Sequence, residues 1–263
     1  MDAQQSLLML ESGEKYCCIL VVKRKDFEAQ KLVYYERERD DELLLENVLT
    51  AHDEINRLFS DVLIRYSFPQ SAMMPSKYYN LEDGKKILQV IYGNNQDVSV
   101  LSEYLPDWHA YNVYEVPKSA HTWINRQFHS GKYWHTYSAS LKDFSSGADE
   151  DVLIIDFKTG QFNVILIKSR QLQLTQTFSY AEPADVLYYL LKICREFSVS
   201  QKEVKLILSG LIEKESALYR QLYQYFIFIS FMGVPDFVKL PSLFREYPSH
   251  FFSSLFNLAT CVS

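Results

Sequence analysis

The sequence contains little glycine. Only 8 of its 263 residues are glycine, where an average usage of about 7% would give roughly 18. None of these glycines are adjacent, and neither the GxGxxG pattern of dinucleotide-binding folds nor a P-loop occurs. Glycine-rich loops let backbone amides approach a phosphate closely. A phosphate-binding loop of either kind is therefore excluded.

Cysteine and histidine are sparse as well. The four cysteines show no CxxC spacing, and Cys17 and Cys18 are neighbours on a predicted strand. Neither a disulfide framework nor a zinc site is expected from such a pattern. Among the six histidines, His129 and His135 lie on different predicted elements without a nearby cysteine or carboxylate cluster. No GxSxG elbow for serine catalysis occurs either.

Positive charge and long apolar runs are also missing. The chain has 27 basic and 33 acidic residues, a net charge of -6, so no nucleic-acid partner is expected. The N-terminus MDAQQSLLML lacks the basic region of a signal peptide. The most apolar segment, YFIFISFMGV at 225–234, is too short to span a bilayer. We expect a cytoplasmic protein without a membrane span.

The sequence does contain an internal repeat. An offset of 145 residues aligns SLLMLESGEKYCCILVVKRK with VLIIDFKTGQFNVILIKSR and places Glu11 opposite Asp156. Each half is predicted to form three consecutive strands, a helix and a further strand. The predicted elements of the first half are strands at 6–11, 15–23 and 27–36, a helix at 41–59 and the strand VLIRYSF. Those of the second half are strands at 152–156, 161–168 and 171–179, a helix beginning near Pro183 and the strand KLILSG.

The two halves are separated by further elements and a polar break. Helices are predicted near NLEDGKKILQVIY and KSAHTWINRQFH, and strands near DVSVLSEYL and AYNVYEV. The polar stretch at 142–151 suggests a boundary near residue 147. We therefore predict mixed α/β sheets covered by helices, with a first half at 1–147, a second half at 148–263 and a cleft between them. The closing YPSHFFSSLFNLATCV is predicted to be helical.

This order of elements, with an acidic residue ending the first strand of each half, resembles the actin-like ATPase superfamily, whose halves have the ribonuclease-H-like fold. The stretches MPSKYYNLED and YPSHFFSSLFNLATCV further resemble an uncharacterised bacterial family that has this fold. The resemblance covers nearly the whole chain and brings no established function. The layout is most similar to the cytoplasmic actin-like components of pilus assembly and type II secretion.

The resemblance also implies a set of candidate cofactor-binding residues. In active superfamily members, the first hairpin of each half carries an acidic residue, a glycine and a hydroxyl residue, and the two hairpins embrace the nucleotide phosphates. Glycine lets backbone N–H groups turn toward phosphate, while the carboxylates hold the metal and its water. The corresponding positions, together with the adenosine-loop glycine, are Glu11, Ser12, Gly13, Asp156, Lys158, Thr159, Gly160 and Gly210.

Each of these signatures is damaged. Glu11 is longer than the usual aspartate and Glu14 adds a second negative charge, Lys158 stands where glycine is expected, and Leu211 replaces the second adenosine-loop glycine. No catalytic residue, metal ligand or cofactor is therefore predicted. Two interpretations of the turn at 156–160 stay open: a hairpin in which Gly160 supplies a positive φ, or a phosphate site in which Lys158 supplies charge.

A ribonuclease-H-like nuclease is the second enzymatic alternative. It would need another acidic residue at the end of the fourth strand, to hold metal together with the acid of the first strand. The first half has Tyr66 and Ser67 at that place, and the second has Ser209 and Gly210. The sequence therefore disfavours this activity.

The segment at 104–137 is rich in aromatic residues. It is expected to fill the core of the first half or to present an interface, because tryptophan and tyrosine are common in both settings. If the segment presents an interface, at least two of Trp108, Trp123 and Trp134 should have solvent-accessible rings.

We predict a non-catalytic or weakly nucleotide-binding actin-like protein that acts through protein association. The alternative is an ATPase that binds ATP with magnesium. The partner and the oligomeric state do not follow from the sequence.

Overall fold

The structure, a computed structural model, describes residues 5–36, 47–48, 50–52, 59, 61–142, 144 and 150–262, with the backbone alone at 243, 245, 261 and 262. Most of the helix predicted at 41–59, and the boundary predicted near 147, lie outside these residues. The chain divides into two compact units. Unit 1 comprises 1–143, 236–243 and 258–263, and unit 2 comprises 144–235 and 244–257.

Unit 1 contains a five-stranded sheet and a three-stranded sheet. Their strands are β1 (Ser6–Gly13), β2 (Tyr16–Lys23), β3 (Glu28–Glu36), β4 (Asp61–Ser67), β5 (Ser71–Pro75), β6 (Val98–Leu105), β7 (Ala110–Pro117) and β8 (Gly131–His135). The larger sheet has the order β3-β2-β1-β4-β8, and the smaller one has the order β5-β7-β6. In the larger sheet, β1, β2 and β3 are antiparallel, whereas β4 runs parallel to β1 and β8.

Among the described residues of unit 1, three α-helices have both ends defined. They are α1 (Leu81–Tyr92), α2 (Lys118–Gln127) and α3 (Thr136–Lys142). Helix α1 begins after Asn80, whose side chain accepts a hydrogen bond from the backbone N–H of Asp83. Its Leu88 packs with Met74 and Val113 beneath the small sheet. The predicted helices and strands of this region are confirmed, whereas β5 and β8 were not predicted.

Unit 2 is built around a second five-stranded sheet. Its strands are β9 (Val152–Lys158), β10 (Gln161–Lys168), β11 (Gln171–Ser179), β12 (Lys205–Gly210) and β13 (Phe228–Phe231), in the order β11-β10-β9-β12-β13. Its helices are α4 (Pro183–Glu196), α5 (Ala217–Tyr223) and α6 (Ser253–Phe256). Helix α4 begins as predicted, with Pro183 in its first turn and a reciprocal cap between Glu182 and Asp185.

The predicted duplication of strand order is confirmed. The order β3-β2-β1-β4 of unit 1 recurs as β11-β10-β9-β12 in unit 2. Glu11 pairs across β1 with Cys18 on β2 and Arg65 on β4. Asp156 occupies the same place on β9 and pairs with Asn163 and Ser209. The two acidic residues therefore hold equivalent positions on the central strands of their sheets.

The C-terminal part of the chain contributes to both units. In unit 1, the Lys239 N–H donates to Phe27 O at 3.0 Å, and the Ala29 N–H donates to Lys239 O at 2.9 Å. The Phe27 and Phe237 rings meet edge to face beside these bonds. The closing segment is helical, but it is broken into 3-10 helices at Ser249–Phe251 and Asn257–Val262 around the single turn of α6.

Candidate functional site

The candidate residues of unit 2 form a buried ion pair. Asp156 and Lys158 are two positions apart on β9, so their side chains lie on the same face of the sheet. Each residue is only 5% exposed. The Lys158 Nζ lies 3.2 Å from Asp156 Oδ2. The chain therefore places a cation of its own directly beside the carboxylate.

Two serine hydroxyls also contact this pair. Ser209, on the adjacent strand β12, donates from its Oγ to Asp156 Oδ1 at 3.0 Å. The Lys158 Nζ donates to Ser254 Oγ on α6 at 3.3 Å. Buried charges are retained when they are paired and hydrogen-bonded. The four side chains thus form a buried polar cluster inside unit 2.

The turn between β9 and β10 is a tight hairpin. Lys158 pairs with Gln161, which leaves Thr159 and Gly160 as the two linking residues. Gly160 has φ +66°, a conformation that glycine adopts without steric cost. The prediction that Gly160 supplies a positive φ is confirmed. The hairpin interpretation of the turn accounts for this glycine without a bound phosphate.

Gly210 has an equally direct structural explanation. It ends β12 with φ +78°, and a Cβ at this position would lie 2.0 Å from Phe157 O and 2.7 Å from Asp156 Oδ1. The following Leu211 N–H donates to Phe157 O at 2.9 Å. Only glycine therefore allows the end of β12 to lie this close to β9. Packing of the two strand ends is sufficient reason for a glycine here.

The same face of the sheet carries two buried amides from β10. Gln161 and Asn163 are 3% and 5% exposed, and they pair across the hairpin with Lys158 and Asp156. Asn163 Oδ1 accepts a hydrogen bond from the Thr177 hydroxyl at 2.7 Å. Within the described part of the chain, Gln161 Nε2 and Asn163 Nδ2 have no hydrogen-bond partner. Ordered water is the usual partner of such buried donors.

Unit 1 neutralises its acidic residue with an arginine. Glu11 and Arg65 are each 1% exposed, and Arg65 Nε lies 3.9 Å from Glu11 Oε1. The Tyr16 hydroxyl donates to the same carboxylate oxygen at 2.6 Å. The Arg65 Nη2 donates to Thr136 Oγ1 at 2.6 Å and to Ser140 Oγ at 3.3 Å. The guanidinium thus links the carboxylate of β1 to the hydroxyl groups of α3.

The remaining candidates of unit 1, Ser12 and Gly13, are the last two residues of β1. Ser12 is buried, and a Cβ on Gly13 would lie 2.7 Å from the Tyr16 ring. Glu14 Oε1 accepts a long hydrogen bond from Gln70 Nε2 at 3.4 Å. Gly13 therefore allows the tyrosine to fold back onto its own hairpin and reach Glu11. This contact explains the glycine through packing, as for Gly210.

Several residues of the two clusters were missed by the sequence reasoning. Asp156, Lys158 and Gly210 were identified and do lie together, whereas Ser209 and Ser254 were not predicted as their partners. Arg65 was missed entirely. It is a charged residue within the apolar strand VLIRYS, and a buried charge needs a partner. That signal could have revealed the pairing with Glu11.

The aromatic segment at 104–137 serves both the core and the surface. Tyr114 and Phe128 are buried in the core of unit 1. Trp108, Trp123 and Trp134 are all half-buried, so the full burial that would have removed an interface role is not observed. The Trp108 Nε1 donates to Leu141 O at 3.2 Å. Rings that are partly exposed and firmly held are suited to contact another protein.

Metal and membrane features are absent from the described residues. No group of three or more histidine, cysteine, aspartate or glutamate side chains in the described ranges could hold a metal ion. None of the described helices is both long enough and apolar enough to cross a bilayer.

Comparison with known proteins identifies the family. The profile described as "Protein of unknown function (DUF3822)" matches residues 4–228. The chain belongs to the DUF3822 family. A search of curated proteins found no significant match to this DUF3822 protein.

Two solved structures are similar to the DUF3822 protein. One is a protein with actin-like ATPase fold and unknown function from Bacteroides thetaiotaomicron VPI-5482, with 16% identity, a TM-score of 0.81 and 98% of each chain covered. Another is a chain of the PilM–PilN type IV pilus biogenesis complex, with 10% identity, a TM-score of 0.63 and 98% of each chain covered. At these identities the likeness establishes the fold. The DUF3822 protein has the actin-like ATPase fold, as the sequence predicted.

Proposed function

We propose that this protein is a non-catalytic member of the actin-like fold that acts in the cytoplasm through association with another protein. The observation that carries the proposal is the buried pairing of Asp156 with Lys158 at 3.2 Å. In active superfamily members the corresponding carboxylate holds the metal and its water. Here the positive charge beside the carboxylate is a lysine of the same strand.

Electrostatics explains why this pairing opposes a metal-bound nucleotide. A magnesium ion beside Asp156 would have to displace the Lys158 ammonium or lie next to a like charge. Separating a buried ion pair leaves an uncompensated charge, at a cost of about 3–5 kcal/mol. Glu11 and Arg65 create the same obstacle in unit 1, since both are 1% exposed. Magnesium-dependent chemistry would thus begin with an unfavourable rearrangement in each unit.

Association has separate support. The PilM–PilN type IV pilus biogenesis complex contains a chain with the same fold, and a fold shared with a component of a protein complex is compatible with such a role. Large apolar side chains are also exposed, including Tyr78, Tyr188 and Tyr223. The described cysteines Cys17 and Cys194 are free thiols, in agreement with a reducing compartment.

Isothermal titration with ATP and magnesium tests the non-catalytic part of the proposal. We expect no binding heat and no phosphate release above background, because the Lys158 ammonium already lies beside the Asp156 carboxylate. Lys158→Ala should not create nucleotide binding, because Leu211 still stands where the second adenosine-loop glycine is expected. The matched control is Lys168→Ala, which removes a lysine of β10 that donates to the carbonyl oxygens of Phe197 and Ser198.

Two results would contradict the proposal. Micromolar ATP affinity that disappears in Lys158→Ala and persists in Lys168→Ala would show that the turn holds phosphate, which supports the ATPase alternative. For association, the tagged wild-type chain is used in pull-downs from its native cell. Replicates that recover no reproducible partner would count against association.

A further inference from the structure

The chain from the last residue of α5 to the first residue of β13 exposes an unusual amount of apolar surface. Tyr223, Tyr225, Ile227 and Phe228 are 65%, 48%, 58% and 53% exposed, while Phe226 between them is buried. This stretch overlaps the most apolar segment of the sequence, which the fold leaves partly uncovered. Contiguous exposed apolar surface commonly marks an interaction site.

Beside this stretch lies a groove with a volume of about 550 Å³. Helix α4 contributes Tyr188, Leu191, Lys192 and Arg195, whose spacing places them along one face of the helix. The opposite side is formed by residues that follow α4 and α5. We call this surface the tyrosine groove and define it by Tyr188, Leu191, Lys192, Arg195, Gln201 and Tyr225.

The aromatic wall of the groove is anchored to the core. The Tyr188 ring contacts Tyr189 edge to face, with centroids 5.4 Å apart. Tyr189 in turn stacks on Phe178 at 4.3 Å. Tyr188 itself is 60% exposed. A tyrosine that is held in place and still exposed loses little side-chain freedom on binding, which makes it an effective contact residue.

The charge of the groove differs from that of the protein as a whole. The chain has a net charge of -6, yet the charged residues of the groove are two cations, Lys192 and Arg195. Glu196 lies beside the groove and pairs with Arg195 at 3.2 Å, but both side chains are more than half exposed. Exposed pairs of this kind are weak and exchange readily. The groove therefore offers apolar contact area together with positive charge.

We propose that the tyrosine groove binds an acidic peptide segment of a partner protein, a segment that also carries an aromatic or aliphatic side chain. The apolar side chain packs between Tyr188 and Tyr225, and acidic side chains approach Lys192 and Arg195. This inference rests on the proposed function in association, and it names the surface and the chemistry of the partner.

The test is selection from a displayed library of short random peptides on the intact wild-type protein. We expect the enriched peptides to combine acidic residues with an aromatic or aliphatic residue. The strongest peptide is then measured by fluorescence anisotropy. Lys192→Glu and Tyr225→Ala should each weaken its binding about tenfold, because one reverses a charge and the other removes a contact residue. Lys86→Glu, on the exposed face of α1, should leave the affinity unchanged.

Several outcomes would overturn the groove as the binding site. They are the absence of any enriched peptide, enrichment of peptides without acidic residues, or equal affinity for Lys192→Glu and Lys86→Glu. Light scattering that shows a wild-type dimer and a Lys192→Glu monomer would assign the groove to a second copy of this chain. If a peptide binds tightly and its affinity is unchanged in the groove variants, this surface is rejected as the binding site. The proposal that the protein acts through association would still stand. ATP titration tests the non-catalytic proposal independently.

Discussion

His135 has a protonation state that its neighbours specify. Its Nε2 lies 2.9 Å from Phe68 O and can only donate to that carbonyl, and its Nδ1 accepts the Tyr137 N–H at 3.3 Å. The ring is fully buried, with Tyr114 close by. Burial lowers the pKa of His135 from 6.5 to about 3, and the charge of Arg65 acts in the same direction. The folded protein therefore requires the neutral imidazole.

We predict that this histidine makes the protein sensitive to acid. Its folded pKa lies below the unfolded value of 6.5, so the unfolded state gains protons first as the pH falls. The stabilisation is complete above pH 6.5 and is lost toward the folded pKa, by about 2 kcal/mol between pH 6.5 and about pH 5. Urea unfolding at a series of pH values measures this slope. His135→Gln should flatten it, whereas the exposed His129→Gln should not.

The His135→Gln variant is needed because Glu103 changes the free energy of unfolding in the opposite direction as the pH falls. Burial raises the pKa of Glu103 above 4.5, and the folded state therefore favours its protonated form as the pH falls. The Glu103 carboxylate accepts hydrogen bonds from the Tyr114 hydroxyl and from the backbone N–H of His135, both at 2.7 Å. An equal pH slope in the wild type and His135→Gln would contradict the assignment to His135.

The acidic positions of the site could be predicted from the sequence, but their partners could not. Glu11 and Asp156 each lie two residues before the end of equivalent strands, and Lys158 is visible because it belongs to the same short hairpin. Arg65 reaches Glu11 only because β1 and β4 are parallel neighbours in one particular register. Register depends on packing between segments far apart in the chain. The same reason hides Ser254, which approaches Lys158 from the C-terminal part of the chain.

The ends of β9 and β12 show how a single glycine permits close packing between elements. We predict that Gly210→Ala destabilises the protein by more than about 2 kcal/mol, because its Cβ would lie 2.0 Å from a backbone oxygen at φ +78°. Gly93→Ala is the matched control, since Gly93 has φ +90° and open space around it. This control should cost less than Gly210→Ala, about 1–3 kcal/mol, because φ +90° with ψ 172° lies in a backbone region that is essentially restricted to glycine. Chemical denaturation measures both variants.

The two glycine variants separate conformation from packing. Gly233→Ala provides a further reference, because this position has neither a left-handed φ nor a neighbour within 4 Å. Its effect on the free energy of unfolding should be small. A Gly210→Ala variant as stable as Gly93→Ala would contradict the packing explanation. Gly210 would then again be a candidate nucleotide-binding residue.

Elements with a strong local pattern were predictable. The long apolar runs of β1, β2, β9 and β10 identified the buried central strands, and the periodicity of α1 identified a helix. Short edge elements were missed. Strand β5 has five residues and β13 has four, too few to establish a period, and their pairing comes from contacts with β7 and β12. Tertiary context therefore decided these elements.

The way the chain is shared between the two units gives them different requirements for folding. Unit 2 consists of 144–235 and 244–257, so all of it lies within the C-terminal stretch 144–263. Unit 1 also needs 236–243 and 258–263, which follow unit 2 in the sequence. Lys239 exchanges backbone hydrogen bonds with Phe27 and Ala29 beside β3. An N-terminal fragment would leave these backbone groups without their partner.

We therefore predict an asymmetry between two complementary fragments. The fragment 144–263 should fold alone with a dispersed amide NMR spectrum, because it contains the complete core of unit 2. The fragment 1–143 should show poor dispersion, since it lacks both segments that complete unit 1. Adding a peptide that spans 236–263 should restore dispersion to 1–143, whereas the same peptide with Lys239→Pro should do so less well, because proline cannot donate to Phe27. Equal dispersion for both isolated fragments would show that the late segments are dispensable and that unit 1 folds from its first 143 residues alone.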